Sequence, residues 1–351
     1  MTICTPPLLT ANRLDDILQR IPSVRAGVIG DVCLDLYWHA DMTRSVLSRE
    51  TPHFPLPIMR ETASPGGAGN VAHNIATLAK DGLTLLGVLG EDWRGGMLSS
   101  ALAARGIAAD SLLRAADRQT NTYIKSLRSG YSDVVYEAPR LDFENHTPLP
   151  EAIERQLIER LNALAPDLDV LCVGDQMAYG CITPAVREAI MALGREGLKV
   201  VVDSRANIGA FRHVIVKPNE LEAAAALGQP TDGMALEQWA DMAVQLSGQN
   251  GRPALITMGD RGCLAAEDGE ALHIPSCPAT GPIDICGAGD TFIAAFSLAL
   301  AAGAAVHEAA MIGNIAASVS IRAIGVTGTA DVRQIREAYA AWRLIYPVQQ
   351  V

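Results

Sequence analysis

Ile283-Asp284-Ile285-Cys286-Gly287-Ala288-Gly289-Asp290-Thr291-Phe292 opens an apolar, Ala-rich run that ends at Gly303. Over residues 288–302, Ala, Leu and Phe recur at three- and four-residue spacing, which predicts a helix stopped at Gly303. The glycines then fall at a helix N-terminus, where the first N–H groups lack intrahelical partners and carry the positive end of the macrodipole. Small residues there let an anion approach, so Gly287, Ala288 and Gly289 form a candidate phosphate or oxyanion site. Asp290 in the same turn has two readings. It favours the helix start, as any first-turn acid does, or it takes a proton from a hydroxyl that attacks a phosphoryl group held by the glycines. The second reading implies a kinase.

The rest of the chain bounds this idea. Its 351 residues, 49% of them hydrophobic, suffice for a large buried core. A net charge of −11 argues against a nucleic-acid or anionic-membrane surface, so any phosphate site must be local. The seven Cys, at positions 4, 33, 172, 181, 263, 277 and 286, have no metal-ligand spacing, and their odd number suits no closed disulfide framework. Reduced thiols are expected. The N-terminus lacks a basic region followed by an apolar core, and no apolar run reaches membrane-spanning length, so cytoplasmic residence is the expectation.

Short apolar runs at 26–31, 83–89, 170–173, 199–202, 214–216 and 254–257 alternate with helical patterns at 14–20, 70–80, 96–105, 151–165, 183–195 and 236–247. Such alternation predicts an α/β fold, a mostly parallel sheet with helices on both faces. Ligands of open sheets bind beyond the carboxyl ends of the strands, where Asp31, Gly174, Asp175, Asp203, Lys217 and Thr257 fall. Residues 35–60 and 120–143 break the rhythm with partial polar and apolar alternation and with Pro52, Pro55 and Pro57. They are expected to form a small antiparallel sheet, either a lid that excludes water from the reaction or a surface hairpin or dimer contact. The expected organisation is an N-terminal extension at 1–21 and one domain at 22–351 that includes the lid.

Three further segments bear on the chemistry. Pro65-Gly66-Gly67-Ala68-Gly69-Asn70 leads into a helix; its glycines allow close backbone approach, and Asn70, Asp31 and Asp35 offer hydrogen bonds to a sugar. It lacks a dinucleotide fingerprint and a Walker-type Lys. Lys217-Pro218-Asn219-Glu220-Leu221-Glu222 follows a buried-looking strand, so Asn219 and Glu222 either open a helix or position Mg²⁺ and its waters near nucleotide phosphates. Thr257-Met258-Gly259-Asp260-Arg261-Gly262 is a turn that either seats the nucleotide or simply reverses the chain.

Together these segments resemble the ribokinase-like (PfkB-type) carbohydrate kinases, from Gly30 and Asp31 through Gly66-Gly67 and residues 217–222 to residues 284–290 and 314–325. The ordered pair of a double-glycine motif and a distal Gly-Ala-Gly-Asp is the specific part of the match. The resemblance implies transfer from Mg·ATP to a sugar hydroxyl, with Asp290 as base and the backbone of residues 287–289 as anion hole. It further implies that Asn219 and Glu222 organise Mg²⁺ through water, that Lys217, Thr257, Gly259 and Gly262 serve the nucleotide, and that Asn314 lies near adenine. A monovalent cation such as K⁺ would involve Asp284 and the Ile285 backbone; Cys286 stands where Thr is common. Within the family, residues 30–38, 65–74 and 140–144 are most similar to bacterial kinases of heptose 7-phosphate, which serve lipopolysaccharide core synthesis. A phosphorylated substrate needs cations, and Arg44, Lys125 and Arg140 fall in or beside the lid, where each is either a phosphate ligand or a solvated charge. Residues 48–54 and 175–180 depart from that subgroup's pattern. Some heptose kinases are fused to a nucleotidyltransferase with a paired-His motif, which is missing from this chain, so nucleotidylation is expected on a separate protein. A homodimer through the lid is expected.

The other readings are a kinase of another sugar or nucleoside, a sugar- or nucleotide-binding regulator without catalysis, and a nicotinamide dehydrogenase. The intact set of Asp290, Asn219 and Glu222 argues against the regulator. The missing glycines after Asp31 argue against the dehydrogenase.

Overall fold

The computed structural model describes residues 9–279 and 281–346. Cys4, the start of the 1–21 segment and residues 347–351 of the 22–351 domain lie outside the described residues. The central sheet has eight strands, ordered Glu270–Ile274, Cys263–Glu267, Ala254–Thr257, Ile215–Val216, Lys199–Ser204, Val170–Asp175, Ala26–Gly30 and Leu83–Leu86. Pairing is parallel from Leu83–Leu86 through Ala254–Thr257, and a closing antiparallel hairpin adds the last two strands. That hairpin, around Asp268 and Gly269, was not anticipated from the sequence.

Because successive side chains of a strand point to opposite faces, each central strand feeds two cores. Val28, Cys172, Val201 and Leu255 pack with helices Ala68–Leu78, Ala288–Ala301 and Val306–Ser320. Ile29, Val173, Val202 and Ile256 pack with Glu151–Leu164, Pro184–Arg195 and Leu236–Asn250. Helix Ala288–Ala301 is buried almost all round, which explains its Ala-rich composition: small side chains let Val306–Ser320 approach closely, with Gly313 against the Phe292 ring. Within the 1–21 segment, helix Ala11–Arg20 buries Leu14, Ile17 and Leu18 in the same core, and Arg13 pairs with Glu308 at 2.9 Å.

Two details differ from expectation. The 83–89 run splits at Gly87, and Val88–Gly90 leaves the central sheet to pair with Leu113–Ala115. The lid sheet is mixed rather than antiparallel: Val32–Asp41 pairs antiparallel with Ile58–Gly67 but parallel with Thr122–Ser129, while Tyr136–Glu137 and Leu141–Phe143 add short antiparallel partners. Both long insertions leave the carboxyl end of the fold in the same direction, so their first strands run parallel. The lid strands also extend past residues 35 and 60, carrying Asp35 and the Gly66-Gly67 pair directly into the site.

Candidate active site

Two helix starts meet beyond the carboxyl ends of the central strands. Helix Ala68–Leu78 follows the lid strand without a loop, a turn that Gly67 makes with φ +56°. Helix Ala288–Ala301 begins at Gly287, whose φ is +80°, and a Cβ there would lie 2.7 Å from Asn70 Nδ2. Only glycine tolerates both the backbone conformation and the approach of Asn70. Asn70, fully buried, donates from Nδ2 to Asp290 Oδ2 at 2.7 Å, while its Oδ1 has no partner among the described residues.

A cavity of about 210 Å³ opens beside this pair, lined by Asp35, Gly66, Gly67, Asn70, Gly287 and Asp290 and also by Cys33, Tyr123, Gln176, Met177, Arg205, Cys286 and Thr327. Burial pushes the Asp290 carboxyl up to about 7; the Asn70 hydrogen bond and Lys217 pull it down, and Asp203 and Asp35 push it further up. Asp35 is likewise raised by burial, to about 6, against the pull of Lys125 and Arg140. Behind the helix start, Lys217 Nζ pairs with Asp203 Oδ2 at 3.0 Å, nearly out of solvent. Burial alone would lower the Lys217 pKa, yet the carboxylates, Asp203 foremost, leave it raised, so the ammonium stays charged beside Gly289.

The backbone makes the anion-binding feature specific. The N–H groups of Gly287, Gly289 and Asp290 have no partner among the described residues, whereas Ala288 N–H donates to Ile285 O at 3.2 Å. Ala288 thus drops out as an anion donor, and its neighbours carry that capacity.

Other expected site residues fall elsewhere or serve the framework. Asp31 does not face the cavity: its carboxylate is buried and accepts N–H bonds from Gln176 and Met177 at 2.9 Å and Cys181 at 2.7 Å, shaping the loop that brings Gln176 and Met177 to the cavity. Arg44 sits exposed in a lid turn and pairs with Asp41 at 3.3 Å. Arg140 binds Asp142 through two bonds of 2.6 and 2.7 Å and lies over the Tyr123 ring, and Lys125 lies over the Tyr37 ring; none of these three cations lines the cavity.

Asn219 and Glu222 cap helix Glu220–Leu227 reciprocally, Glu222 N to Asn219 Oδ1 at 2.9 Å and Asn219 N to Glu222 Oε2 at 2.8 Å. The helix-opening reading therefore describes those atoms, leaving Asn219 Nδ2 and Glu222 Oε1 for other work. Glu222 is raised by burial and feels Asp203, Lys217 and Arg205. Thr257 bonds Pro218 O through N–H at 3.0 Å, tying the 217–222 and 257–262 segments together. Gly259 has open space beyond it, while Gly262, at φ +86°, packs against the backbone of residues 274–276 and serves the chain reversal. Asn314 donates from Nδ2 to Ile274 O at 3.2 Å, fixing the edge hairpin to helix Val306–Ser320. Asp284 accepts N–H bonds from Cys286 and Gly325, both at 3.0 Å, joining two loops. Arg205, Gln176, Met177 and Tyr123 were missed from the sequence; the only signal for Arg205 was its place two residues after the strand-end Asp203.

A helix start with free N–H groups beside a buried carboxylate, at the carboxyl ends of parallel strands, suits a phosphotransferase that acts on an alcohol group. The pfkB family carbohydrate kinase model matches residues 50–333, and the chain belongs to that family. It is 34% identical over 328 residues to the bifunctional protein HldE of Citrifermentans bemidjiense and 32% identical over 319 residues to that of Trichlorobacter lovleyi. These matches cover 92% and 90% of this chain and 65% and 62% of those relatives, so the chain spans less than two thirds of their length. In fold it is similar to phosphofructokinase-2 of Escherichia coli in complex with potassium (TM-score 0.70, 21% identity, 91% of this chain and 99% of that one). It is also similar to ribokinase of Arabidopsis thaliana complexed with ribose and ATP (TM-score 0.65, 20% identity, 90% and 98%). Among the described residues, no helix is long and apolar enough to cross a membrane.

Proposed function

We propose that this carbohydrate kinase phosphorylates a sugar phosphate, heptose 7-phosphate at its anomeric hydroxyl, using Mg·ATP in the cytoplasm. The observation that carries the reaction is the buried Asn70–Asp290 pair at the start of helix Ala288–Ala301. Asn70 orients the carboxylate, leaving its other oxygen to take the acceptor's proton, and the unpartnered N–H groups of Gly287, Gly289 and Asp290 face charge developing on the transferred group. Lys217, held charged by Asp203, adds a positive charge behind the same helix start. When bound, Mg·ATP supplies the phosphoryl group and neutralises part of its charge. Asn219 and Glu222 would hold its metal through water with their uncapped atoms, and Thr257 and Gly259 would contact the nucleotide, with Asn314 near its base. Asp284 and the Ile285 carbonyl would hold K⁺.

The choice of acceptor is supported by residues 30–38, 65–74 and 140–144 and by the similarity to HldE proteins. In that setting the product passes to a nucleotidyltransferase. The exposed apolar side chains of the lid, Leu47, Phe54, Met59, Val134, Val135 and Tyr136, support a homodimer formed there. A screen of ATP consumption over free sugars, nucleosides and sugar phosphates tests the acceptor: heptose 7-phosphate is expected to give the highest kcat/KM, and activity confined to unphosphorylated compounds would reject the assignment.

A further inference from the structure

Arg205 is the one cationic side chain among the described residues lining the cavity of Asp35, Asn70 and Asp290. It is exposed, and its guanidinium makes no ion pair or hydrogen bond with any described residue. Of the three lid cations, Arg44 and Arg140 already hold carboxylates, and Lys125 lies over the Tyr37 ring and outside the cavity lining.

The backbone beneath Arg205 is fixed by a buried network. Asp175 Oδ2 accepts from Ser204 Oγ at 2.7 Å and from Asn207 Nδ2 at 3.0 Å, and Ser204 Oγ accepts from Asn207 N at 3.0 Å. Arg205 N–H donates to Asp175 O at 3.0 Å. Asp175 and Ser204 are both buried. Strand-end groups are thus committed to one turn, and the residue this turn presents to the cavity is an arginine whose five donors are free. Beside it, at the end of the neighbouring strand, Gln176 and Met177 are held by the Asp31 carboxylate, so this stretch of the cavity wall is built rather than loose. A guanidinium in such a place matches an oxyanion with two acceptors in one plane, as a phosphate ester presents.

We propose that Arg205 is the specificity-determining residue that binds the acceptor's own phosphate, and that the Asp175–Ser204–Asn207 network is the support that positions it. The proposal rests on the kinase reading for the nature of the acceptor. It does not depend on turnover. Free heptose lacks the group Arg205 recognises, so Arg205 discriminates phosphorylated from unphosphorylated acceptor, whereas a guanidinium acting on the transferred phosphoryl group would serve both equally.

The test is calorimetric binding of heptose 7-phosphate and of free heptose to the full chain and to its Arg205→Gln and Arg205→Lys variants, with ATP turnover on both compounds measured alongside. The wild-type chain should bind the phosphate ester at least about tenfold more tightly than the free sugar. Arg205→Gln should erase that preference without changing affinity for the free sugar, and Arg205→Lys should restore part of it. Equal affinity of the wild type for both compounds, a preference that survives in Arg205→Gln, or an equal loss of kcat on both compounds in that variant would overturn the proposal. A wild-type chain that shows the preference but consumes no ATP would sink the kinase reading and leave the Arg205 assignment standing.

Discussion

Asn70 and Asp290, 220 residues apart in sequence, meet through a 2.7 Å hydrogen bond that joins the start of one helix to the first turn of another. The bond explains why both glycine motifs are needed. Gly67 turns the lid strand into the helix that carries Asn70, and Gly287 leaves the space Asn70 occupies.

Burial pushes the Asp290 carboxyl up to about 7, and a carboxylate that serves as base must be ionised. The kcat/KM profile should therefore rise with pH and reach half its plateau near 7. Asn70 favours the ionised form, so Asn70→Leu should move the rising limb to higher pH, by about one pH unit if a charge-assisted hydrogen bond is lost. A limb that stays in place would show that the bond does not tune the base.

Gly287→Ala should cut turnover by about 100-fold or more, the scale of losing one donor of a preorganised anion site, since its Cβ would displace Asn70 and its φ is unsuited to alanine. Gly289→Ala has no contact shorter than 3.7 Å to resolve and should keep wild-type thermal stability. Thermal melts and steady-state kinetics on the two variants check the contrast.

Asp31→Ala should lower unfolding free energy by roughly 3 kcal/mol, because three N–H groups lose their acceptor inside the fold. Urea titration measures it. A variant of unchanged stability with only a raised KM would instead place Asp31 on the substrate.

Leu47, Phe54, Val134, Val135 and Tyr136 leave an apolar surface on the lid. Sedimentation should give a dimer that Val135→Glu dissociates, and a monomeric wild type at micromolar concentration would contradict the lid contact.

What could be read in advance was what is local. The helix at Asp290 was legible because its periodicity, its glycines and its stop at Gly303 lie within one short stretch. The parallel sheet was legible because apolar runs alternate with helical ones. The role of Asp31 was hidden because the N–H groups it holds lie 145 to 150 residues away, and an acid after a strand looks the same whether it faces a ligand or a loop. Arg205 was hidden for a related reason: a single Arg has no period, and its exposure beside a cavity exists only after Val170–Asp175 and Lys199–Ser204 pair. The mixed pairing of the lid turned on the direction of two distant insertions, which alternation cannot encode.

ATP turnover of the wild type and of Asp290→Asn on heptose 7-phosphate, with ATP binding measured in both, tests most directly whether Asp290 is the base of a sugar-phosphate kinase. A loss of about 10³-fold in kcat with ATP affinity unchanged is expected. Turnover of the variant within a few-fold of wild type would contradict it.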